Sequence, residues 1–398
     1  MNLCIAGSTG SVGTQALEVV DFLNRRFDRG IAVSVLIANK NVGLMEQQAR
    51  KITPWMVVMA DEASAADLKV RIADTNVNVL CGSAGIEEAI SSCGADMMLS
   101  ALVGIAGLKP TLLAIRSGMD VALANKESLV CAGDIVSDSA RRNNVKILPV
   151  DSEHYALWQC LLSDSPREDE ACSLLVPCVS QFSGKIFITA SGGAFRGKRT
   201  CDLEGVTVDD ALKHPSWSMG KKITVDSATL INKAFEVIEA HRFFNIPYDD
   251  IEVLVHPQSI VHSMVQFADG SVIAQLSSAD MRVPLQGAFT FPERFESSVK
   301  KLDFKSIARL EFFEPDFDTF PLLKFGIQCG IDGGGSAVAL NAANEFFVNE
   351  FLEGRVSFLA MQEKIIESVN KNKLYKNLTE DEIFEFDSYV RAQCSRGV

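Results

Sequence analysis

Near its start the chain reads Leu3-Cys4-Ile5-Ala6 and then Gly7-Ser8-Thr9-Gly10-Ser11-Val12-Gly13, and no other stretch limits the fold as much. The four apolar residues read as a buried strand. Residues 15–24 then place Ala16, Val19, Val20 and Leu23 on one helical face. Glycines between strand and helix let the backbone approach a diphosphate, and the first N–H groups of the helix point at it. A plain tight turn would use the same residues, but its place between strand and helix at the head of the chain favours the nucleotide. Residues 31–38, 56–60, 77–80, 97–101, 121–124 and 146–150 read as further strands, with helical spacing between them. Such alternation predicts an α/β fold whose mostly parallel sheet is covered on both faces.

The second strand should end near the adenosine ribose. A site for NAD would place Asp or Glu there to hold the 2′-hydroxyl. This chain has Asn39-Lys40-Asn41, and a lysine at that place favours the 2′-phosphate of NADP. Past a later strand end comes Ala124-Asn125-Lys126-Glu127-Ser128. Ligands of open α/β sheets lie along that edge, although a solvated helix start would look the same.

Pro149-Val150-Asp151-Ser152-Glu153-His154 comes after the last of these strands. In extended geometry residues i and i+2 share a face, so Asp151 and Glu153 can aim two carboxylates at one point. Carboxylates held close are stable only around a proton or a cation. Oxygen ligands of this kind suit Mg²⁺ or Mn²⁺. The plain alternative is a strand end dipping into water.

The middle third carries several anion-binding signals. Ser191-Gly192-Gly193 ends an apolar run and offers free N–H groups, as an ordinary turn also would. Thr207 and Asp210 have the spacing of a capping box. His214-Pro215-Ser216-Trp217-Ser218-Met219-Gly220 makes a poor core element but a good mobile lid over a ligand. Asp226-Ser227 can cap a helix running to about residue 241. On it Asn232, Lys233 and Glu236 share one wedge with Thr229. Ser227, Asn232 and Lys233 would hold a phosphate, and Glu236 would add a third carboxylate. A surface helix with one Lys–Glu pair is the plainer reading.

The chain has 398 residues, 47% hydrophobic and 22% charged, enough for two or three globular domains. Its 51 acidic against 38 basic residues give a net charge of −13, which disfavours nucleic acid and anionic membranes as partners. No run of about 18 uncharged apolar residues is present, so no membrane span is expected. The glycine turn comes so early that no signal peptide is expected before it. Ten cysteines without a CxxC pair fit a reducing cytoplasm better than a disulfide framework or zinc knuckle.

Taken together, these stretches resemble the 1-deoxy-D-xylulose 5-phosphate reductoisomerase family. The resemblance rests on Gly7 to Gly13, Leu123-Ala-Asn-Lys-Glu-Ser-Leu129, Pro149 to His154 and His214 to Gly220. Val225-Asp-Ser-Ala-Thr229 with Asn232-Lys233, His256-Pro-Gln-Ser259 and Leu340-Asn-Ala-Ala-Asn-Glu345 complete it, all in the family's order. It implies a divalent metal (Mg or Mn, with Co also admissible) on Asp151, Glu153 and Glu236. It implies NADPH against Gly7, Thr9, Gly10, Ser11, Val12, Lys40, Asn41, Asn125, Glu127 and Gly220. A sugar phosphate would contact Lys126, Ser152, Glu153, Ser191, Gly192, His214, Trp217, Met219, Ser227, Asn232, Lys233 and Glu236. Among these, Lys126, Glu153 and His214 are the catalytic candidates. Asn39 stands where family members often have Gly, and Ala194 where they often have Pro. Both bear on loop rigidity and cofactor affinity.

The expected organisation has four parts. A Rossmann-like NADPH domain spans 1–150, and a central α+β catalytic and dimerisation domain spans 151–283, with the lid at about 191–222. A linker comes next at 284–321, and a helical bundle of structural purpose at 322–398. Residues 264–267 and 271–274 read as a hairpin through Asp269-Gly270. The resemblance implies a homodimer built on the sheet of that domain. His241, His256 and His262 read as packing or hydrogen-bonding histidines. The implied reaction turns 1-deoxy-D-xylulose 5-phosphate into 2-C-methyl-D-erythritol 4-phosphate, in the non-mevalonate isoprenoid pathway. The rivals are an NADP-dependent semialdehyde dehydrogenase, needing a nucleophilic cysteine and no metal, and a non-catalytic NADPH-sensing module.

Overall fold

Strands and helices alternate through the first 150 residues, as the apolar runs predict. The order is β1 (Asn2–Ala6), α1 (Ser11–Phe27), β2 (Ala32–Ala38), α2 (Val42–Ile52), β3 (Met56–Met59), α3 (Glu62–Arg71) and β4 (Asn78–Cys81). It continues with α4 (Gly82–Ser92), β5 (Met97–Ser100), α5 (Leu108–Arg116), β6 (Asp120–Leu123), α6 (Glu127–Asn143) and β7 (Ile147–Pro149). In this computed structural model the described residues are 1–164, 184–217, 219–374 and 376–396, so Ser218 of the expected lid lies outside them.

The seven strands pair in the order β4-β3-β2-β1-β5-β6-β7, every pair parallel. Helices cover both faces, which is why β3 is buried at every position. Each large apolar side chain so buried contributes roughly 1.5–3 kcal/mol. The strand order reverses direction between β1 and β5, the place where such sheets form a ligand crevice. There Gly7 has φ +95°, and a Cβ on it would lie 2.4 Å from Ala101 O. Only glycine fits.

Beyond β7 come α7 (Ser152–Leu161), β8 (Gly184–Ala190), the four-residue α8 (Val208–Ala211), α9 (Lys221–Ala228) and α10 (Ile231–Phe244). Next are β9 (Ile251–Val255), β10 (Val261–Phe267), β11 (Val272–Leu276) and α11 (Arg282–Thr290). The second sheet runs β11-β10-β8-β9, with β10 and β11 forming the expected antiparallel hairpin. Helices α12 (Pro321–Asp332), α13 (Gly335–Leu352), α14 (Phe358–Lys371) and α15 (Glu380–Ser395) close the chain.

Three local expectations need correction. Asp151 and Glu153 do not extend β7: Asp151 is the N-cap of α7 and Glu153 lies in its first turn. The helix expected from Asp226 to about residue 241 is two helices. Leu230, at φ +60°, separates α9 from α10, a costly conformation for a branched residue. The supposed linker opens with α11, and only its remainder, residues 291–320, lacks regular structure beyond one isolated bridge at Phe313. Strand β9 is an addition to the expected elements. No helix among the described residues is long and apolar enough to cross a membrane.

Candidate active site

The strand ends of the first sheet and the start of α10 meet at a cavity of about 320 Å³. Every expected sugar-phosphate residue lines it: Lys126, Ser152, Glu153, Ser191, Gly192, His214, Trp217, Met219, Ser227, Asn232, Lys233 and Glu236. From the nucleotide side Ser11, Val12 and Gly220 reach it too.

Its floor is acidic. Oxygens of Asp151, Glu153 and Glu236 lie within 4.8 Å of one another. Asp151 occupies an N-cap position, yet no side-chain cap bond forms there; its carboxylate turns instead to Lys126 Nζ, 2.7 Å away. That ammonium also lies 3.2 Å from Glu236 Oε1 and donates to Asn232 Oδ1 at 2.7 Å. Lys233 Nζ donates to Glu153 Oε1 at 3.1 Å and to Glu236. Two buried lysines thus stand among three carboxylates, which offsets the cost of burying each charge alone.

The charges shift accordingly. Burial alone would lower the Lys126 ammonium, but Asp151, Glu236 and Glu239 outweigh it and hold it well above the usual lysine range. Burial pushes the Glu153 carboxyl upward and Glu236 adds to this, with Lys233 opposing. Asp151 moves the other way: burial acts upward, and Lys126 and neighbouring cations carry it below the usual carboxylate range.

Beside the acidic floor is a cationic and hydroxylic corner. The Ser191-Gly192-Gly193 turn packs on the end of α9 so tightly that a Cβ on Gly193 would lie 2.4 Å from Ser227 O. This places Ser191 and Ser227 beside the uncapped start of α10, where Asn232 and Lys233 stand. His214 Nδ1 accepts the Trp217 amide at 2.9 Å and the Ser216 amide at 3.2 Å. The ring proton therefore sits on Nε2, which donates to Ser191 Oγ at 2.9 Å. Burial and Lys233 lower the His214 imidazole to about 4, so it is neutral at neutral pH.

The nucleotide residues divide into two groups. Gly10 N-caps α1 without a side-chain bond, and no acidic residue stands in the first turn, leaving that positive end uncompensated. Lys40 is largely exposed after β2, 3.9 Å from Asp61. Gly7, Thr9, Gly10, Lys40, Asn41, Asn125 and Glu127 do not line the cavity itself. The Asn41 side chain caps α2 by accepting the Leu44 amide at 3.2 Å. Asn125 is buried and donates to Leu102 O (2.8 Å) and Gly104 O (2.9 Å). Glu127 is buried against Lys222 Nζ at 2.9 Å.

Sequence reasoning missed Glu239 and Lys222, and it read three nearby histidines as packing or hydrogen-bonding groups, which their backbone bonds bear out. Glu239, one turn beyond Glu236, is fully buried with His154 Nδ1 3.4 Å from its carboxylate, while His154 Nε2 meets Glu236 O at 2.9 Å. Its spacing on the helix was the available signal. Lys222 links Glu127 to Asp226 (2.8 Å) just after the tryptophan loop. His262 lines the cavity and its ring lies 6.0 Å from Trp217. His256 binds Glu311 O at 2.8 Å and stacks on Phe312, which ties the irregular 291–320 segment to the second sheet. His241 binds Ile246 O at 2.8 Å beyond the end of α10.

Comparison with known proteins gives one consistent result. Family models match residues 3–133 (1-deoxy-D-xylulose 5-phosphate reductoisomerase), 147–244 (its C-terminal domain) and 276–393 (DXP reductoisomerase C-terminal domain). The reductoisomerase of Ruminiclostridium cellulolyticum is 44% identical over 389 residues, covering 98% of this chain and 97% of its own length. That of Caldanaerobacter subterraneus subsp. tengcongensis is 45% identical over 395 residues, covering 99% and 98%. Among solved structures, the Zymomonas mobilis reductoisomerase in complex with NADPH matches with TM-score 0.86 at 37% identity, covering 99% of this chain and 98% of that one. A DOX-P reductoisomerase in complex with NADPH, fosmidomycin and magnesium matches with TM-score 0.90 at 34% identity, covering 100% and 98%.

Proposed function

The chain belongs to the 1-deoxy-D-xylulose 5-phosphate reductoisomerase family, and we propose roles for its cavity residues on that footing. It is an NADPH- and divalent-metal-dependent enzyme that converts 1-deoxy-D-xylulose 5-phosphate to 2-C-methyl-D-erythritol 4-phosphate in isoprenoid biosynthesis. A dehydrogenase acting through a cysteine and a non-catalytic sensor are not favoured.

The observation that carries the site assignment is the meeting of Asp151, Glu153 and Glu236 within 4.8 Å, in a cavity whose wall includes the start of α1. Three carboxylates so close fit a hard divalent cation, and we assign its ligands to them. The uncapped start of α1 fits the NADPH diphosphate. When bound, the cation supplies a Lewis acid for the substrate carbonyl and its neighbouring hydroxyl, and NADPH supplies hydride.

The chain's own residues do the rest. Lys126, charged and aimed at the carboxylate floor, donates to a sugar oxygen as negative charge develops on it. Glu153, ionised once the cation is held, accepts a proton from the rearranging diol, while the Ser152 hydroxyl donates to its carboxylate and orients it. Ser191, Ser227, Asn232 and Lys233 clamp the phosphate away from the reacting carbons. Neutral His214 holds Ser191 in place by its Nε2 proton, a positioning part. Trp217 and Met219 cover the substrate and exclude water.

We also propose a homodimer in the cytoplasm. Strand β11 is an edge strand whose Val272 and Ile273 are 50% and 38% exposed, a combination that favours pairing with a second copy. Oxidation of NADPH monitored at its near-ultraviolet absorbance, with 1-deoxy-D-xylulose 5-phosphate as substrate, tests the whole reading. Turnover should vanish with EDTA and return with Mg²⁺ or Mn²⁺; metal-independent turnover would remove the ligand assignment.

A further inference from the structure

We propose that Glu345 on α13 is a positioning residue for the cofactor, acting through the loop 101–105 that walls the crevice between β1 and β5. This rests on the NADPH reading above and gives the C-terminal helices a part in it.

The loop leaves β5 beside the glycine turn that leaves β1. Ala101 N donates to Ala6 O at 2.9 Å, and a Cβ on Gly7 would strike Ala101 O. The two loops are thus in contact, so displacement of one displaces the other. Residues 102–105 are fastened from two directions. On one side the buried Asn125 amide holds the carbonyls of Leu102 and Gly104. On the other, Ile105 N donates to Glu345 Oε1 at 3.1 Å. The backbone lies flat on that carboxylate: Gly104 has φ +77°, and a Cβ there would be 2.6 Å from Glu345 Oε1. Val103, between these fastenings, is 70% exposed.

Glu345 is itself aimed. Asn341 Nδ2 donates to Oε1 at 2.8 Å, and Arg391 Nη2 to Oε2 at 2.8 Å. Arg391 is fixed in turn on Asp387, at 2.6 and 3.1 Å. Both oxygens of Glu345 therefore accept. A glutamine has one accepting oxygen, so it would turn an NH₂ group toward either Arg391 or the Ile105 amide. A second path leaves the adjacent residue of the same helix. Asn344 Nδ2 donates to Asp226 Oδ1 (2.9 Å), Lys222 joins Asp226 to Glu127, and Asn125 Nδ2 donates to Glu127 Oε2 (3.0 Å). Helix α13 thus reaches both fastenings of the loop.

The test compares wild type, Glu345→Ala, Glu345→Gln and Gly104→Ala. NADPH affinity is read by fluorescence titration, alongside KM for NADPH, KM for the sugar phosphate and the Mg²⁺ requirement. Glu345→Ala should weaken NADPH about tenfold and Glu345→Gln about threefold, the scale of a lost hydrogen bond to a charged group. Sugar-phosphate KM and the metal requirement should stay within about twofold, a split that general loss of stability does not produce. Gly104→Ala perturbs the same contact from the loop side and should weaken NADPH even if the Glu345 variants do not fold. Wild-type NADPH affinity in Gly104→Ala, or in a folded Glu345→Ala, would overturn the inference. A wild type that fails to bind NADPH would instead sink the functional reading and this inference with it.

Discussion

Replacing Lys233 with methionine should make the carboxylate floor a better metal site and a worse substrate site. The Lys233 ammonium lies between Glu153 (3.1 Å) and Glu236, where a cation held by those oxygens must displace it. At an effective dielectric near 20, a unit pair at 3.1 Å attracts with about 5 kcal/mol. Desolvation of the buried ammonium cancels the larger part. Roughly 2 kcal/mol remains, the scale of a hydrogen bond between charged groups. Removing that competitor should tighten Mn²⁺ binding by about thirtyfold. The assay is a calorimetric Mn²⁺ titration of wild type and Lys233→Met without substrate, run in two buffers of different protonation heat, so that any proton held at Glu153 in the ammonium's place is counted. The variant should also show a raised sugar-phosphate KM, because the phosphate clamp is lost. Equal or weaker Mn²⁺ binding in a folded variant would refute the competition argument.

Three further outcomes can be checked. Glu236→Gln should abolish turnover while NADPH still binds; full activity in that variant would remove Glu236 from the metal shell. Because burial and Glu236 raise the Glu153 carboxyl, metal affinity should climb as pH rises through neutrality. Metal binding should then release a proton, seen as a buffer-dependent calorimetric heat, and a flat pH profile would contradict the assignment. Burial lowers the His262 imidazole from 6.5 to about 4, so between those values the unfolded chain binds the extra proton. The stability concerned is complete above pH 6.5 and is lost as pH falls to 4, about 3 kcal/mol in all. In denaturant titrations His262→Gln should lose correspondingly less stability than wild type over that range; parallel losses would count against it.

Much of the cavity lining was legible because its polar residues sit in short motifs. Lys126 comes after a strand end, Ser191 after another, and Asn232, Lys233 and Glu236 share a helical wedge. What escaped was their mutual arrangement. Asp151 and Glu153 come together, but not as residues i and i+2 of a strand: Pro149 ends β7, and a helix start supplies the proximity instead. The break at Leu230 was invisible because a left-handed leucine carries no sequence signal. Lys222 and Glu345 were given no role because a buried charge is recognisable only once its partner is known, and for Glu239 the spacing from Glu236 was the one signal.

The sequence by itself determined the alternation of strands and helices, the parallel sheet and the glycine turn, because these depend on periodicities and backbone freedoms confined to a few neighbouring residues. Tertiary structure alone decided that Lys126 meets Asp151 and Glu236, and that a carboxylate on α13 reaches the loop after β5. Those contacts join stretches remote in the chain. Their geometry is set by how whole layers pack, so no local pattern encodes it.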